Sequence, residues 1–212
     1  MGAVPKRSQL AQERSRDTRR AILRAALELW AQRGYENGFE RTTAEEIATR
    51  AGISKATFYL HFARKEDILL HTGWITAGVV YEDALAEIAA GRELDAAVDR
   101  MMNRLGRRVQ RVPRAALRRI LDAQMSMPRG SAIEGESFGL EQAFLALLQP
   151  ALEAGQLPER VSITALATML KAITIDAIWQ WSEDGSDQLS VVLRQRAALV
   201  IVGARNIPDA VR

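Results

Sequence analysis

The sequence predicts an all-α protein of about nine helices, with an N-terminal helix-turn-helix unit and a larger helical domain behind it. Apolar residues recur with helical period in almost every segment, as at Ile22, Ala26 and Leu29. No segment shows the sustained polar–apolar alternation typical of a strand. Glycine and proline separate the segments. We therefore expect helices at about residues 17–33, 43–52, 54–62, 65–90, 94–111, 114–126, 136–154, 160–182 and 187–206.

The composition indicates a protein that buries a core and excludes several kinds of chemistry. The 212 residues are 48% hydrophobic, and the formal net charge is only +3. The absence of cysteine excludes disulfides, thiolate zinc sites and cysteine nucleophiles. With His61 and His71 as the two histidines, we expect no metal site and no cofactor.

No targeting or membrane segment is expected. The N-terminal residues are basic but lack an apolar stretch of signal-peptide length. The most apolar run, residues 163–181, is interrupted by Lys171 and Asp176, which a membrane span would not favour. We expect a cytoplasmic protein that does not associate with membranes.

The strongest motif lies between residues 42 and 62, where two short helices are joined by a tight turn. Thr43 with Glu46 three residues later is a capping box for the first helix. Gly52 permits the positive φ that ends this helix, and Ser54 is the N-cap of the second. This pattern predicts a helix-turn-helix, although a turn of this kind also occurs where two helices merely pack together.

A helix-turn-helix presents the first turn of its second helix to base edges in the major groove. Lysine donates to guanine acceptors, and threonine and alanine contact the thymine methyl group. Phosphate contacts then fix the register on the duplex. The candidate DNA-binding residues of this motif are Thr43, Ser54, Lys55, Ala56, Thr57, Tyr59, His61 and Lys65.

Residues 18–70 resemble the DNA-binding domain of the TetR/AcrR family of bacterial transcriptional regulators. The resemblance implies a homodimer, usually a repressor released from its operator by a small molecule, and phosphate contacts by Tyr59, His61 and Lys65. Two departures stand out: the loop before Thr42 is about four residues longer than the common pattern, and Arg64 replaces a frequent serine cap. The residues that carry the resemblance are Ile22, Ala25, Ala26, Trp30, Gly34, Tyr35, Thr42, Thr43, Ile47, Ala48, Ala51, Gly52, Ile53, Ser54, Thr57, Phe58, Tyr59, His61, Phe62, Lys65, Glu66 and Leu69.

The first 20 residues carry six basic and two acidic side chains, a net charge of +4. We expect a flexible arm in which Arg16, Arg19 and Arg20 contact the DNA backbone or minor groove. The alternative is a solvated tail.

We place the domain boundary between residues 1–66, which contain the arm and the helix-turn-helix, and residues 67–212, which contain the effector-binding and dimerisation domain. The resemblance implies that the last two helices, about 160–182 and 187–206, form the homodimer interface. The alternative is that they are core helices of a monomer. A dimer would present its two recognition helices to half-sites about 34–36 Å apart.

Residues 100–119 contain eight arginines and no acidic residue. One interpretation is a solvated face paired with Glu82, Asp83 and Glu87. The other is a site for an anionic effector such as an acyl-CoA, in which Arg100, Arg104, Arg107 and Arg111 share a face.

Methionine and aromatic residues at helical spacing in the second domain are candidates for an effector cavity, or else ordinary core residues. Asp176, alone in an apolar helix, is either in this cavity or at an interface. The candidate ligand-binding residues are Trp74, Tyr81, Met101, Met102, Leu105, Met125, Phe138, Phe144, Met169, Ile173, Asp176 and Trp179.

An enzyme is not expected. Residues 135–139 match the G-x-S-x-G nucleophile elbow, with Ser137 as the serine of a remote hydrolase alternative. No strand precedes this segment, and both histidines lie upstream of it, against the order that the mechanism requires. The sequence favours a regulator that binds double-stranded operator DNA and a small-molecule effector; a ligand-independent or activating DNA-binding protein of the same fold is the other alternative.

Overall fold

The computed structural model describes residues 7–126, 139–185 and 188–207, and within these ranges it contains helices and no strand. The all-α prediction is therefore confirmed. Of the ten helical segments in these ranges, α2 is a single turn. The segments are α1 (Arg7–Gln32), α2 (Tyr35–Gly38), α3 (Ala44–Arg50), α4 (Lys55–His61), α5 (Glu66–Ala89), α6 (Leu94–Val109), α7 (Arg114–Met125), α8 (Leu140–Glu153), α9 (Ile163–Asp184) and α10 (Leu189–Arg205).

The first helix begins at Arg7, about ten residues before the predicted start. The expectation of a flexible arm is therefore wrong from Arg7 onward, and residues 1–6 lie outside the described ranges. Residues 7–16 include three arginines and two glutamines and contain no glycine or proline, so they favour a helix by propensity. Apolar periodicity did not indicate this helix because the segment has almost no apolar stripe.

The chain divides into two compact units, Met1–Thr72 and Gly73–Arg212. In the first unit, α1 packs against α3, and α3 packs against α4. Their shared core is closed by the fully buried Ile22, Trp30, Ile47 and Phe58. The α3–α4 turn depends on Gly52, whose φ of 71° favours a residue without a Cβ atom.

In the second unit, α10 packs against α6 and α9, and α8 packs against α9. Gly106 on α6 lies directly against the backbone of Ser190 on α10. Ion pairs join the same two helices further along, at 2.5 Å between Asp99 and Arg194 and at 2.8 Å between Asp95 and Arg205. The α6–α10 contact is thus fixed by a glycine near one end and by charged pairs along the two helices.

Among the described residues, no helix combines the length and the hydropathy that a membrane span requires.

The first testable prediction concerns Gly106→Ala. A Cβ at this position would overlap the backbone of Ser190, with 2.6 Å to its nitrogen, so the two helices must separate. We expect the free energy of unfolding to fall by about 1–3 kcal/mol in urea titrations followed by circular dichroism.

Gly78→Ala on α5 is the matched control, because no described atom lies within 4 Å of its added Cβ. It should be neutral or stabilise by up to about 1 kcal/mol, since alanine is the better helix former. Equal effects of the two substitutions would contradict the close α6–α10 contact.

Candidate nucleic-acid interface

The N-terminus of α3 is held by the capping box that the sequence predicts. The Thr43 hydroxyl accepts a hydrogen bond from the Glu46 N–H at 3.2 Å, and the Thr43 N–H donates to Glu46 Oε2 at 2.8 Å. Arg33 at the end of α1 donates to both oxygens of the same carboxylate, at 3.0 and 2.5 Å. One side chain therefore caps α3 and connects it to the chain segment that follows α1.

The Arg33 guanidinium, together with the Thr43 N–H, lowers the pKa of Glu46 to about 2. Because the folded pKa lies below the ordinary value of 4.5, ionised Glu46 stabilises the fold above about pH 4.5. This contribution is lost as the pH falls toward 2, and it is complete at neutral pH.

The first turn of α4 is capped by Ser54, whose hydroxyl accepts from the Thr57 N–H at 3.0 Å. Lys55 and Ala56 are exposed, whereas Thr57 is half-buried. The Lys55 ammonium lies 3.1 Å from a carboxylate oxygen of Glu45 on α3, which raises the pKa of the lysine. Lys55 therefore remains charged on an accessible surface.

Tyr59 and His61 follow on α4. The half-exposed Tyr59 ring meets the buried Phe58 edge to face, at 5.3 Å between centroids, which orients its hydroxyl group. Burial lowers the pKa of His61 below its ordinary value of 6.5, and the charge of Arg19 acts in the same direction. The imidazole is thus largely neutral at pH 7 and presents one N–H donor.

Lys65 contacts backbone carbonyl groups of its own chain, whereas the sequence suggested a contact with a DNA phosphate. Its ammonium donates to the carbonyl oxygens of Phe39 at 2.9 Å and Thr42 at 3.3 Å. It also lies over the Phe39 ring, 4.5 Å from the centroid. The side chain is therefore engaged with the loop before α3.

The three arginines expected at the DNA backbone lie on α1. Arg16 and Arg20 are exposed, and Arg20 lies 3.6 Å from Asp17. Arg19 is half-buried, and its Nε atom has no hydrogen-bond partner among the described residues. Spacings of three and four residues place Arg16, Arg19 and Arg20 on one side of the helix.

The start of α5 is capped without the serine that the resemblance led us to expect. The Arg64 N–H donates to Asp67 Oδ2 at 2.9 Å, and the Arg64 guanidinium lies 3.4 Å from Oδ1 of the same residue. The acidic residue three positions after Arg64 was the sequence signal for this cap.

The candidate ligand-binding residues of the second unit fall into three groups. Met101, Met102, Leu105 and Phe144 are fully buried in the apolar core, while Tyr81, Ile173 and Trp179 are partly buried against it. Met125, Met169 and Asp176 are exposed, the two methionines by 70% and 55%, so they lie outside the core, and for Asp176 this favours the interface alternative. The Trp74 side chain and Phe138 lie outside the described part of the chain.

Asp176 belongs to a polar cluster between α9 and α10. Arg196 donates to its carboxylate at 2.6 Å and to the Gln180 side-chain oxygen at 2.7 Å. The Gln180 amide in turn donates to Asp176 at 3.0 Å.

The arginines of α6 pair with acidic residues of α5, which confirms the first interpretation for most of them. Arg104 lies 3.0 Å from Asp83 and 2.5 Å from Glu87, and Arg108 lies 3.2 Å from Asp83. Arg100 lies 3.5 Å from Glu87. The paired face follows a four-residue spacing, so Arg107, which was expected on it, is exposed elsewhere.

Ser137 of the hydrolase alternative lies outside the described residues. In the ranges that the structure covers, no three histidine or acidic side chains are grouped to hold a metal ion.

Comparison with known proteins gives an N-terminal match. The family model described as bacterial regulatory proteins, tetR family, matches residues 22–72. The regulator TcmR of Streptomyces glaucescens is 40% identical over 68 residues, 32% of this chain and 28% of that protein. The fatty acid metabolism regulator protein of Bacillus subtilis is 43% identical over 49 residues, 23% of each chain. The chain thus spans less than a third of the length of these curated relatives.

Solved structures are similar over nearly the whole chain. FadR of Thermus thermophilus, a TetR-family repressor in complex with lauroyl-CoA, has a TM-score of 0.68 at 24% identity and covers 92% of this chain and 98% of its own. FadR of Bacillus subtilis in complex with stearoyl-CoA has a TM-score of 0.62 at 20% identity, and the match covers 86% of this chain and 97% of that protein. SmeT, the repressor of a multidrug efflux pump of Stenotrophomonas maltophilia, has a TM-score of 0.61 at 20% identity, and the match covers 92% of this chain and 95% of that protein. At these identities the likeness establishes the shared fold. Residues 22–72 match the TetR family of bacterial regulatory proteins.

Proposed function

We propose that this chain is a sequence-specific DNA-binding transcriptional regulator, a repressor that a small molecule releases from its operator. The observation that carries the proposal is the helix-turn-helix of the first unit. Both of its helices are capped by side chains, at Thr43 and Ser54, and the first turn of α4 is exposed. This is the arrangement that places a recognition helix in a major groove.

In this proposal the first turn of α4 reads the bases. Lys55 donates to guanine O6 and N7, and Ala56 and Thr57 contact thymine methyl groups. Ser54, Tyr59 and His61 donate to phosphates, and Thr43 does so when its hydroxyl turns away from Glu46 Oε2, 3.1 Å away. On α1, Arg16, Arg19 and Arg20 add phosphate or minor-groove contacts.

We also propose that the protein acts as a homodimer through α9 and α10. Leu199 and Val202 on α10 are 73% and 52% exposed, and Met169 on α9 is similarly accessible. Large apolar side chains exposed together on one helix face indicate an interaction surface. A twofold arrangement of α9 and α10 would bury them and pair two recognition helices on one operator.

The effector is proposed to bind in the second unit. The similar structures that hold lauroyl-CoA and stearoyl-CoA make acyl-CoA the first class to test. The partly buried Tyr81, Ile173 and Trp179 border the core, and the exposed Arg107 and Arg111 are cations for the phosphates of such a ligand. Since effector and DNA would favour different states, each would weaken the other's binding by the same factor.

A regulator without an effector is the second candidate function. The full burial of Met101, Met102 and Phe144 favours it, because these side chains already fill the core of the second unit. A repressor and an activator would share the same DNA-binding surface.

The DNA-reading assignment predicts different effects for two substitutions in α4. Lys55→Ala should relax base preference at one position per half-site, at a cost of about 1–3 kcal/mol on the preferred operator. Tyr59→Phe removes a hydroxyl donor to phosphate, so it should weaken all duplexes by similar factors. Fluorescence anisotropy on the selected operator and on single-base variants measures both.

Arg118→Ala, an exposed arginine on α7, is the control and should leave the affinities unchanged. A Lys55→Ala protein with unaltered base preference would remove Lys55 from the readout.

The dimer assignment predicts that Leu199→Arg shifts the protein toward monomer in analytical ultracentrifugation. The reason is that two guanidinium groups would face each other across a twofold interface at a largely desolvated position. Met125→Arg is the matched control, because Met125 is equally exposed but lies on α7. Dimers that persist in Leu199→Arg at micromolar concentration would place the interface elsewhere.

The effector assignment predicts that lauroyl-CoA lowers operator affinity about 5- to 150-fold, the usual range of allosteric coupling. It should also raise the melting temperature of the DNA-free protein, because ligands stabilise the state they bind. Coenzyme A without the acyl chain is the control. Unchanged melting and unchanged DNA affinity would favour the effector-free regulator or a different ligand class.

A further inference from the structure

Four consecutive carbonyl groups, those of residues 39–42, point at two cationic side chains. The Lys65 ammonium donates to the carbonyl oxygens of Phe39 at 2.9 Å and Thr42 at 3.3 Å, and the Glu40 carbonyl oxygen lies 3.5 Å from it. Arg33 Nη1 donates to the Arg41 carbonyl at 2.5 Å. We call residues 39–42 the carbonyl loop.

The Lys65 ammonium is saturated by these contacts. An ammonium group has three hydrogens and no acceptor, and three carbonyl oxygens surround it here. The Phe39 ring occupies a further side, at 4.5 Å. To bind a phosphate, Lys65 would have to release part-buried carbonyls, which then lose their donor.

The carbonyl loop leads directly into α3. Thr42 is fully buried, and its hydroxyl donates to the Gly38 carbonyl at 2.6 Å. The next residue, Thr43, is the N-cap of α3, and Glu46 of the same capping box is held by Arg33. Lys65 and Arg33 therefore fix both ends of the segment that sets the position of the first turn of α3.

We propose that Lys65 is a positioning residue for DNA binding and not a phosphate ligand. Its ammonium holds the carbonyl loop, and the loop places Thr43 and the first turn of α3 against the DNA backbone. The inference rests on the proposed DNA-binding function, and it assigns to Lys65 a role opposite to the direct contact that the sequence suggested.

The test compares two measurements on the full-length variant Lys65→Met, which keeps the length of the side chain but removes its charge and donors. The first is amide hydrogen exchange without DNA. The N–H groups of Arg41, Thr42, Thr43 and Glu46 each have an acceptor within this segment, at 3.1, 3.3, 2.8 and 3.2 Å. If Lys65 holds the loop, exchange of these amides should accelerate on the order of tenfold, as expected when bonds to a charged donor are lost.

The second measurement is operator affinity as a function of salt. A lysine that neutralises a phosphate contributes about 0.9 to the slope of log K against log [salt]. As a positioning residue, Lys65 contributes nothing to this slope, so Lys65→Met should lose affinity by a similar factor at every salt concentration. Arg16→Gln, at a proposed phosphate contact, is the control that shows whether the assay detects a lost ion pair.

Lys65→Gln keeps the test decisive if Lys65→Met is too unstable to measure. A neutral amide still donates to a carbonyl, so it should restore part of the affinity and protection without changing the slope. A slope reduced by about 0.9 per protomer in either variant would overturn the proposal. Unchanged exchange of the loop amides would overturn it too.

The two proposals fail separately. If the wild-type protein binds no DNA, the proposed function fails, while hydrogen exchange still decides whether Lys65 holds the loop. If the wild type binds DNA with a salt slope that Lys65→Met lowers, the function stands and the positioning role is wrong.

Discussion

The carboxylate of Glu46 is the group on which the geometry of the first unit depends. It accepts the Thr43 N–H and so caps α3, and it binds the guanidinium of Arg33 at the end of α1. A truncated side chain would make neither interaction, and a protonated one would lose the charge that pairs with Arg33. Because α3 leads through the Gly52 turn into α4, the direction of the recognition helix follows from how this carboxylate is held. A charged carboxylate that accepts several hydrogen bonds is rigidly held. A surface that must match the spacing of a DNA groove requires such rigidity.

The second unit also depends on carboxylates that pair with arginines. Its arginine-rich helix α6 carries charges that would repel one another, and buried acidic groups on α5 neutralise them. Glu87 is almost fully buried and meets Arg92, Arg100 and Arg104, so removing any one partner would leave its charge less compensated. Arg100, Arg104 and Arg108 are therefore structural, and an anionic ligand would meet other arginines of residues 100–119. The basic surface of the first unit faces DNA in our proposal. The arginines of α6 are also positively charged, but they pair with acidic residues of α5.

The sequence predicted best what depends on neighbours a few residues apart. The capping box at Thr43, the cap at Ser54 and the turn at Gly52 are local patterns, and each is present in the structure. The carbonyl contacts of Lys65 were not predicted, because the acceptors lie 23 to 26 residues earlier and are backbone atoms, which no side-chain pattern reveals. The exposure of Met125 and Met169 was not predicted for a related reason. Helical periodicity shows which residues share a face, but not whether another helix covers that face. The early start of α1 was missed because propensity, and not apolar patterning, determines it.

In our proposal, a twofold pair of these recognition surfaces reads one DNA sequence. This can be measured by selecting binding sites from random duplex DNA with the full-length protein, followed by ethylation interference on the enriched site. We expect an inverted repeat whose half-site centres are about 10–10.5 base pairs, or a multiple of that, apart. We also expect interfering phosphates placed symmetrically on either side of each half-site. Enrichment of no sequence, or of a site without twofold symmetry, would contradict it.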